Sequence, residues 1–196
     1  MEKNVGKPRF KTSLSYCMWL TLWASAIYIM DAWQGIRIFA VALIVIIYTI
    51  VLPGMSYSLV MWKVNDKSIM YTYHHTIIDK MISFYKHIFK TKKLEYQMCV
   101  YLNQVDYIEV DFAKVLRGPY AQYGYDIIFR IYTNDGSVFR FNVLDSSKRK
   151  EFNAAVDFLK DKNIEFVDQY NILEQLKNNP NPISYYLKDI NKEENI

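Results

Sequence analysis

A long stretch with only two charged side chains constrains this chain more than any other feature. Positions 14–62 contain one Asp and one Arg, whereas 22% of the whole chain is charged. The surface of a water-soluble domain needs more charge than this, since about a quarter of the residues in such domains are charged. The stretch therefore excludes a wholly soluble protein and a disordered chain, and two cysteines are too few for a disulfide scaffold.

Two apolar runs, residues 14–30 and 38–52, predict a transmembrane helical hairpin over positions 14–62. Each run is close to the ~20 residues that a helix needs to cross a bilayer. Helices are expected because backbone groups in lipid must be hydrogen-bonded within their own segment. The second run continues past Pro53-Gly54, which either kinks the helix or ends it, and we favour a kink. A cleaved signal peptide would have a shorter apolar region.

The flanking cations predict how the hairpin is oriented. Residues 1–13 form a basic tail with four Lys or Arg, the turn at 31–37 has one, and residues 63–93 have seven. Because cations are retained on the cytoplasmic side, we expect a multi-pass protein of the cell membrane with both termini in the cytoplasm. Trp33 and Trp62 lie at the edges of the apolar runs and suit the membrane interface.

Residues 63–177 have a pattern typical of β-strands. Several short runs either alternate apolar and polar side chains or, as in 67–75, are rich in β-branched and aromatic residues. These runs are 67–75, 94–101, 107–112, 125–133 and 137–143. The last two flank Asn134-Asp135-Gly136, and an Asp-Gly pair between alternating runs is a strong signal for a hairpin.

A helix should follow this hairpin, because Phe152, Val156 and Leu159, with Ala155 beside them, recur at helical spacing. Its start can be capped by one of three residues: Asp145, Ser146 or Ser147. The polar residues 178–196 predict a flexible tail.

Residues 74–93 are compatible with a helix or with two strands joined by a turn at Asp79-Lys80. A stripe at helical spacing is present: Ile77, Met81, Phe84 and Ile88. We favour strands, because a small antiparallel barrel needs them.

The order of these elements resembles that of the bacterial pleckstrin-homology-like (bPH) membrane proteins of Gram-positive bacteria. The resemblance rests on the strand–turn–strand step at 100–110, the hairpin at 125–142 and the helix after Ser147, and it covers roughly residues 64–170. It implies a membrane-anchored α+β protein with a PH-like antiparallel β-barrel or sandwich and a C-terminal helix in residues 63–177. It also implies a tethered binding or scaffolding role, in some members in envelope stress or bacteriocin self-protection, without fixed functional residues.

No constellation of residues predicts an enzyme. His74 and His75 would lie on opposite faces of a strand, and no Cys or Glu stands at ligand spacing, so neither a metal nor another cofactor is expected. Glu109 and Asp111 share a strand face, which a solvated polar surface explains. No nucleophile and base are paired.

A basic block near the second apolar run predicts contact with membrane lipids. Lysines alternate there with aromatic and aliphatic residues, and those predicted to contact headgroups are Lys86, Lys90, Lys92 and Lys93. Each cation near an anionic surface contributes about 1 kcal/mol. Alternatively, these lysines only set topology and solubility. Nucleic acid is not an expected partner, because residues 94–177 are net acidic.

A second candidate surface is the segment 117–125, between two predicted strands. It brings three tyrosines and an arginine together, the residue types that anchor protein interfaces. The predicted contacts with a membrane-protein partner are Arg117, Tyr120, Tyr123 and Tyr125. Alternatively, the tyrosines fold back on the barrel.

Together these features predict a non-enzymatic, membrane-tethered binding or scaffold module at the cytoplasmic face. The alternative is a pore-forming or transporter-accessory protein that acts through its hairpin. Ala24, Ser25 and Ala26 would allow close helix packing, but neither run has polar residues beyond Ser, Thr and Tyr to line a path.

Overall fold

The computed structural model describes residues 2–29, 33–58, 60–72, 76–90, 96–117, 122–143 and 148–193. The chain divides into two compact units. The two-sheet unit comprises residues 1–6, 60–72 and 96–196, and the helical unit comprises residues 7–59 and 73–95. The chain therefore passes between the units four times.

The elements of the described residues are as follows. The strands are β1 (Glu2–Val5), β2 (Met61–Asn65), β3 (Ser68–Thr72), β4 (Met98–Tyr101), β5 (Val105–Arg117), β6 (Gln122–Thr133), β7 (Val138–Asn142) and β8 (Glu165–Val167). The helices are α1 (Phe10–Ile29), α2 (Gln34–Ile46), α3 (Leu52–Ser56), α4 (Ile77–Lys90), α5 (Arg149–Asp161), α6 (Ile172–Asn178) and α7 (Ile183–Glu193). A π-helical turn, Ile47–Val51, joins α2 to α3.

The first sheet is antiparallel, with the strand order β1–β2–β3–β4. Residues 2–5, which we expected in a basic tail, form its edge strand, and Val5 pairs with Trp62. The side chain of Asn65 closes the β2–β3 turn by accepting hydrogen bonds from the N–H groups of Lys67 and Ser68, at 2.9 and 2.8 Å.

The second sheet has the order β7–β6–β5–β8, and β8 runs parallel to β5. The predicted hairpin is confirmed: β6 and β7 flank Asn134-Asp135-Gly136, and Gly136 adopts a left-handed φ of 84°. The expected barrel is corrected to two open sheets, because neither sheet closes on itself and the second is mixed.

The core of the two-sheet unit lies between the sheets and is rich in aromatic rings. Trp62 of the first sheet contacts Phe129 and Phe141 of the second, with centroids 5.9 and 6.3 Å apart. Its indole N–H donates to the backbone oxygen of Val143 at 2.7 Å. Trp62 is 1% exposed, so the expectation that it anchors the chain at the membrane interface is wrong.

Helices α5, α6 and α7 complete this core. The predicted stripe of α5 is confirmed, since Phe152, Ala155, Val156 and Leu159 are all buried; the predicted capping positions 145–147 lie outside the described residues. Residues 178–196, expected to be a flexible tail, instead contain α7, whose Leu187 is fully buried. Arg149 holds the segment before α7 by donating to the backbone oxygens of Asn179 and Asn181.

In the helical unit, α1 packs antiparallel to the helix that runs from α2 to α3. The N–H of Arg9 donates to the backbone oxygen of Ser56 at 3.0 Å, and the Cys17 thiol lies 3.9 Å from the backbone oxygen of Ile47. Small side chains line the contact: Ser13, Cys17, Ala24 and Ala40 are buried.

Among the described residues, one helix meets the length and hydropathy expected of a membrane span. It is Gln34–Ser56, with 23 residues and a mean hydropathy of 2.6. It continues through Pro53, as we expected. Helix α1 has 20 residues, but its Ser, Thr, Tyr and Trp side chains lower its hydropathy. The expectation of a hairpin of two membrane-spanning helices is therefore corrected: among the described residues only the second apolar run qualifies, by length and composition.

The expectation of strands in residues 74–93 is corrected, because Ile77–Lys90 form α4. A reciprocal capping box starts this helix. The N–H of Asp79 donates to the Thr76 hydroxyl, and the N–H of Thr76 donates to the Asp79 carboxylate, each at 3.1 Å. Asp79 and Lys80, which we expected to form a turn between two strands, are therefore part of the first helical turn.

Candidate membrane-surface site

Helix α4 packs against the ends of the apolar helices within the helical unit. Phe84 is buried there, with its ring 5.9 Å from that of Phe10 and 6.5 Å from that of Tyr57. Gly54 lies against this helix, since a Cβ at that position would lie 2.6 Å from Cδ1 of Ile77. Since Phe10 begins α1 and Tyr57 follows α3, α4 lies at the end of the hairpin where the chain enters and leaves it.

A hydrogen bond also joins α4 to the apolar span. Pro53 has no N–H to donate to the carbonyl of Thr49, one helical turn earlier, and the span forms a π-helical turn at Ile47–Val51. The hydroxyl of Tyr85 in α4 donates to the Thr49 oxygen at 3.3 Å. Tyr85 of α4 thus provides a hydrogen-bond donor to a backbone carbonyl within the π-helical turn. Such turns often occur at functional positions.

A second apolar stripe of α4 remains exposed. It consists of Ile78, Ile82 and Phe89, and Phe89 is 77% exposed. At 3.6 residues per turn, this stripe lies between the packed face around Phe84 and a polar face. The polar face carries Lys80, Ser83, Lys86 and His87.

The predicted headgroup lysines are placed as follows. Lys86 is exposed on the polar face, and Lys90 is the last residue of α4. Lys92 and Lys93 lie outside the described residues. Lys7 and Lys11, both exposed, add cations at the start of α1. The described part of this end of the helical unit therefore combines apolar side chains with cations, as a lipid surface requires.

The segment predicted to contact a partner is the tip of a β-ribbon and not a long loop. Strands β5 and β6 pair as far as Arg117 opposite Gln122. The connection, residues 118–121, lies outside the described residues and includes Tyr120. Strand β7 pairs only with Ile128–Tyr132 of β6, so the tip extends beyond β7.

The remaining tyrosines of this segment lie within β6. The ring of Tyr125 packs on Phe112, with centroids 5.9 Å apart, beside the core. Tyr123 is opposite Leu116 in the register. Because paired residues share a face and successive residues alternate, positions 117 and 123 belong to opposite faces of the ribbon. For Tyr125, the structure follows the alternative in which the tyrosines fold back on the core.

Sequence reasoning missed a polar cluster on the outer face of the second sheet. Arg130 pairs with both carboxylates, at 3.3 Å to Glu109 and in close contact with Asp111. The Tyr132 hydroxyl donates to Glu109 at 2.9 Å. Alternation showed that the two acids share a face, but the cross-strand register Glu109–Arg130 could not be read from one sequence.

The cluster shifts the pKa of two of its members. Partial burial lowers the pKa of Arg130, but the charges of Asp111 and Glu109 outweigh it and raise that pKa above its ordinary value. The hydrogen bond to Glu109, with a contribution from desolvation, raises the pKa of Tyr132. The carboxylates are therefore engaged in holding β5 to β6.

The replacement Glu109→Gln is expected to lower the pKa of Tyr132 towards its usual value, because the charged acceptor of its hydroxyl is removed. Titration of the ¹³Cζ resonance of labelled tyrosine measures this pKa. The matched control is Asp111→Asn, which removes a carboxylate from Arg130 but leaves the hydrogen bond to Tyr132. A fall of equal size in both variants would contradict this assignment.

Comparisons with known proteins identify no relative. No family model, no curated protein and no solved structure matches this chain. Within the described ranges, no group of three or more His, Cys, Asp or Glu side chains is placed to hold a metal ion. The resemblance to bPH proteins stays a prediction, and function is inferred from the chain's own geometry.

Proposed function

We propose that this protein is a non-enzymatic, membrane-tethered binding module. Its helical unit is held in the membrane, and its two-sheet unit is the binding part on the cytoplasmic side. The exposed side chains of the apolar helices carry this proposal. They are large and apolar on both helices: Met18, Trp19, Leu22 and Trp23 on α1, and Ile38, Phe39, Val41 and Val45 on α2. Soluble monomers rarely expose so large a contiguous apolar surface.

The pairing of β1 with β2 supports a second crossing by α1. Strand β1 precedes the apolar helices and β2 follows them, yet the two are neighbours in one sheet. Both must lie on the same side of a membrane, so the chain between them has to cross an even number of times. Helix α1 can supply the second crossing, because 20 residues span about 30 Å and no charged residue follows Lys11 in it.

The cytoplasmic orientation is supported by the cations next to the apolar helices, which are retained on that side. Lys7 and Arg9 precede the first helix, Lys11 lies in its first turn, and Lys63 and Lys67 follow the second helix. A membrane-protein partner would bind the two-sheet unit at the tip of the β5–β6 ribbon, where Arg117 and Tyr123 lie at the ends of the paired strands; Tyr125, which packs on Phe112, is not part of this surface. The bPH resemblance supports the same role.

Two measurements on the full chain in cells test the tether. After alkaline carbonate extraction, the protein should remain in the membrane pellet. A membrane-impermeant maleimide should label the exposed thiol of Cys99 only after the cells are permeabilised, with Cys99→Ser as the control. Release by carbonate would contradict membrane insertion, and labelling in intact cells would contradict the orientation.

A further inference from the structure

We infer that α4 is an interfacial helix that binds anionic phospholipid, with the Ile78, Ile82 and Phe89 stripe among the acyl chains and Lys86 at the phosphates. This inference rests on the proposed function, because α4 meets lipid only if the helical unit lies in a membrane. It adds a lipid class and a site to that function.

Helix α4 has three faces: a packed face around Phe84, an exposed apolar stripe and a polar face. One face is occupied, since Phe84 packs on Phe10 and Tyr57. Tyr85, at the border between this face and the exposed stripe, bonds to Thr49. The exposed apolar stripe continues directly from this face. It therefore lies beside the end of the span Gln34–Ser56, at the depth where acyl chains give way to headgroups.

Helix α4 contains more cations than acids. Lys80, Lys86 and Lys90 are the cations of the helix, and its one acid, Asp79, caps the N-terminus by accepting from Thr76. The polar face is thus net positive. Lysine stems can lie along an apolar surface while the ammonium groups reach the headgroups. A positive edge beside an apolar stripe favours anionic over zwitterionic lipid.

A lipid surface fits this stripe better than a protein helix does. The stripe adjoins a helix that itself exposes Val41, Val45 and Ile46. In a membrane, lipid acyl chains would cover the stripe and these side chains alike. A soluble partner would have to bury the stripe and leave the neighbouring apolar span uncovered.

Lipid retention tests the site. The full chain is reconstituted in nanodiscs of phosphatidylcholine with phosphatidylglycerol, extracted in mild detergent, and its bound lipids are quantified by mass spectrometry. Wild type should retain phosphatidylglycerol in preference to phosphatidylcholine. Each lysine is worth about a fivefold preference, so Lys86→Glu with Lys90→Glu should abolish it. Lys150→Glu with Lys188→Glu, the same change of charge in the two-sheet unit, should not.

The depth of α4 provides a second readout. A nitroxide is placed at position 82 or at position 87, in the full chain with Cys17→Ser and Cys99→Ser. At position 82, collisions with oxygen should exceed those with a water-soluble nickel complex, and at position 87, on the polar face, the order should reverse.

The results of these experiments distinguish lipid binding by α4 from membrane insertion of the helical unit. Equal retention of both lipids, loss of preference in both double variants, or a water-exposed label at position 82 would overturn the inference while the tether stands. A chain that does not stay in the nanodisc would overturn the tether as well.

Discussion

Trp62→Ala is expected to lower the free energy of unfolding of the two-sheet unit by about 5 kcal/mol. Replacing a buried Trp by Ala typically costs about 3–5 kcal/mol. Loss of the indole donor also leaves the backbone oxygen of Val143 without this partner, which adds about 1–3 kcal/mol. Domains of this size are stable by only about 5–15 kcal/mol, so the unit should be largely unfolded under mild denaturant.

Amide hydrogen exchange of the full chain in detergent, followed by mass spectrometry at increasing urea, measures this effect on peptides from β2 and β6. Trp62→Phe keeps a ring against Phe129 and Phe141 but loses the hydrogen bond, and should cost about 1–3 kcal/mol. Trp33→Ala changes an 81% exposed side chain and should leave the exchange of β2 and β6 unchanged. Equal exchange in Trp62→Ala and wild type would show that Trp62 is not central to the core.

Trp62 also shows where sequence reasoning reaches its limit. The alternation of β5 to β7 and the Asp135-Gly136 pair encode the hairpin locally, so these elements could be predicted. Trp62 follows an apolar run directly, and its role depends on Val5, Phe129 and Val143, which are distant in sequence. Hydropathy alone could not separate a membrane-edge Trp from a buried one.

The same limit applies to β1 and α7. Strand β1 has only four residues, Glu2–Val5, and exists because it pairs with a strand that follows the helical hairpin. The polar composition around Pro180 and Pro182 hid the buried Leu187 of α7. Local patterns specify elements, whereas such edge and terminal elements are specified by the surface they pack on.

The candidate site was partly predictable for a similar reason. Its cations and apolar residues were visible in sequence, and so was the Thr76-x-x-Asp79 spacing of a capping box, the signal that would have decided between helix and strands and that the structure shows formed. The contact between Tyr85 and Thr49 depends on the irregular turn before Pro53, which one sequence does not reveal.

Val45→Arg is expected to weaken membrane insertion of the span Gln34–Ser56 by about 3 kcal/mol. Val45 is the midpoint of this span and is 55% exposed. At the centre of a bilayer, an arginine costs about 2.5–3.5 kcal/mol, whereas an exposed substitution in water typically changes stability by less than about 0.5 kcal/mol. Glycosylation mapping of the full chain in microsomes gives the apparent free energy of insertion.

The matched control is Val138→Arg, since Val138 lies in β7 and is 51% exposed. The two valine side chains are exposed to nearly the same degree. A difference between the variants therefore reports whether the side chain faces lipid or water. We expect Val138→Arg to leave insertion unchanged and Val45→Arg to reduce the carbonate-resistant fraction. If both variants inserted like wild type, Val45 would face water, and the helical unit would need a protein partner instead of a bilayer to cover it.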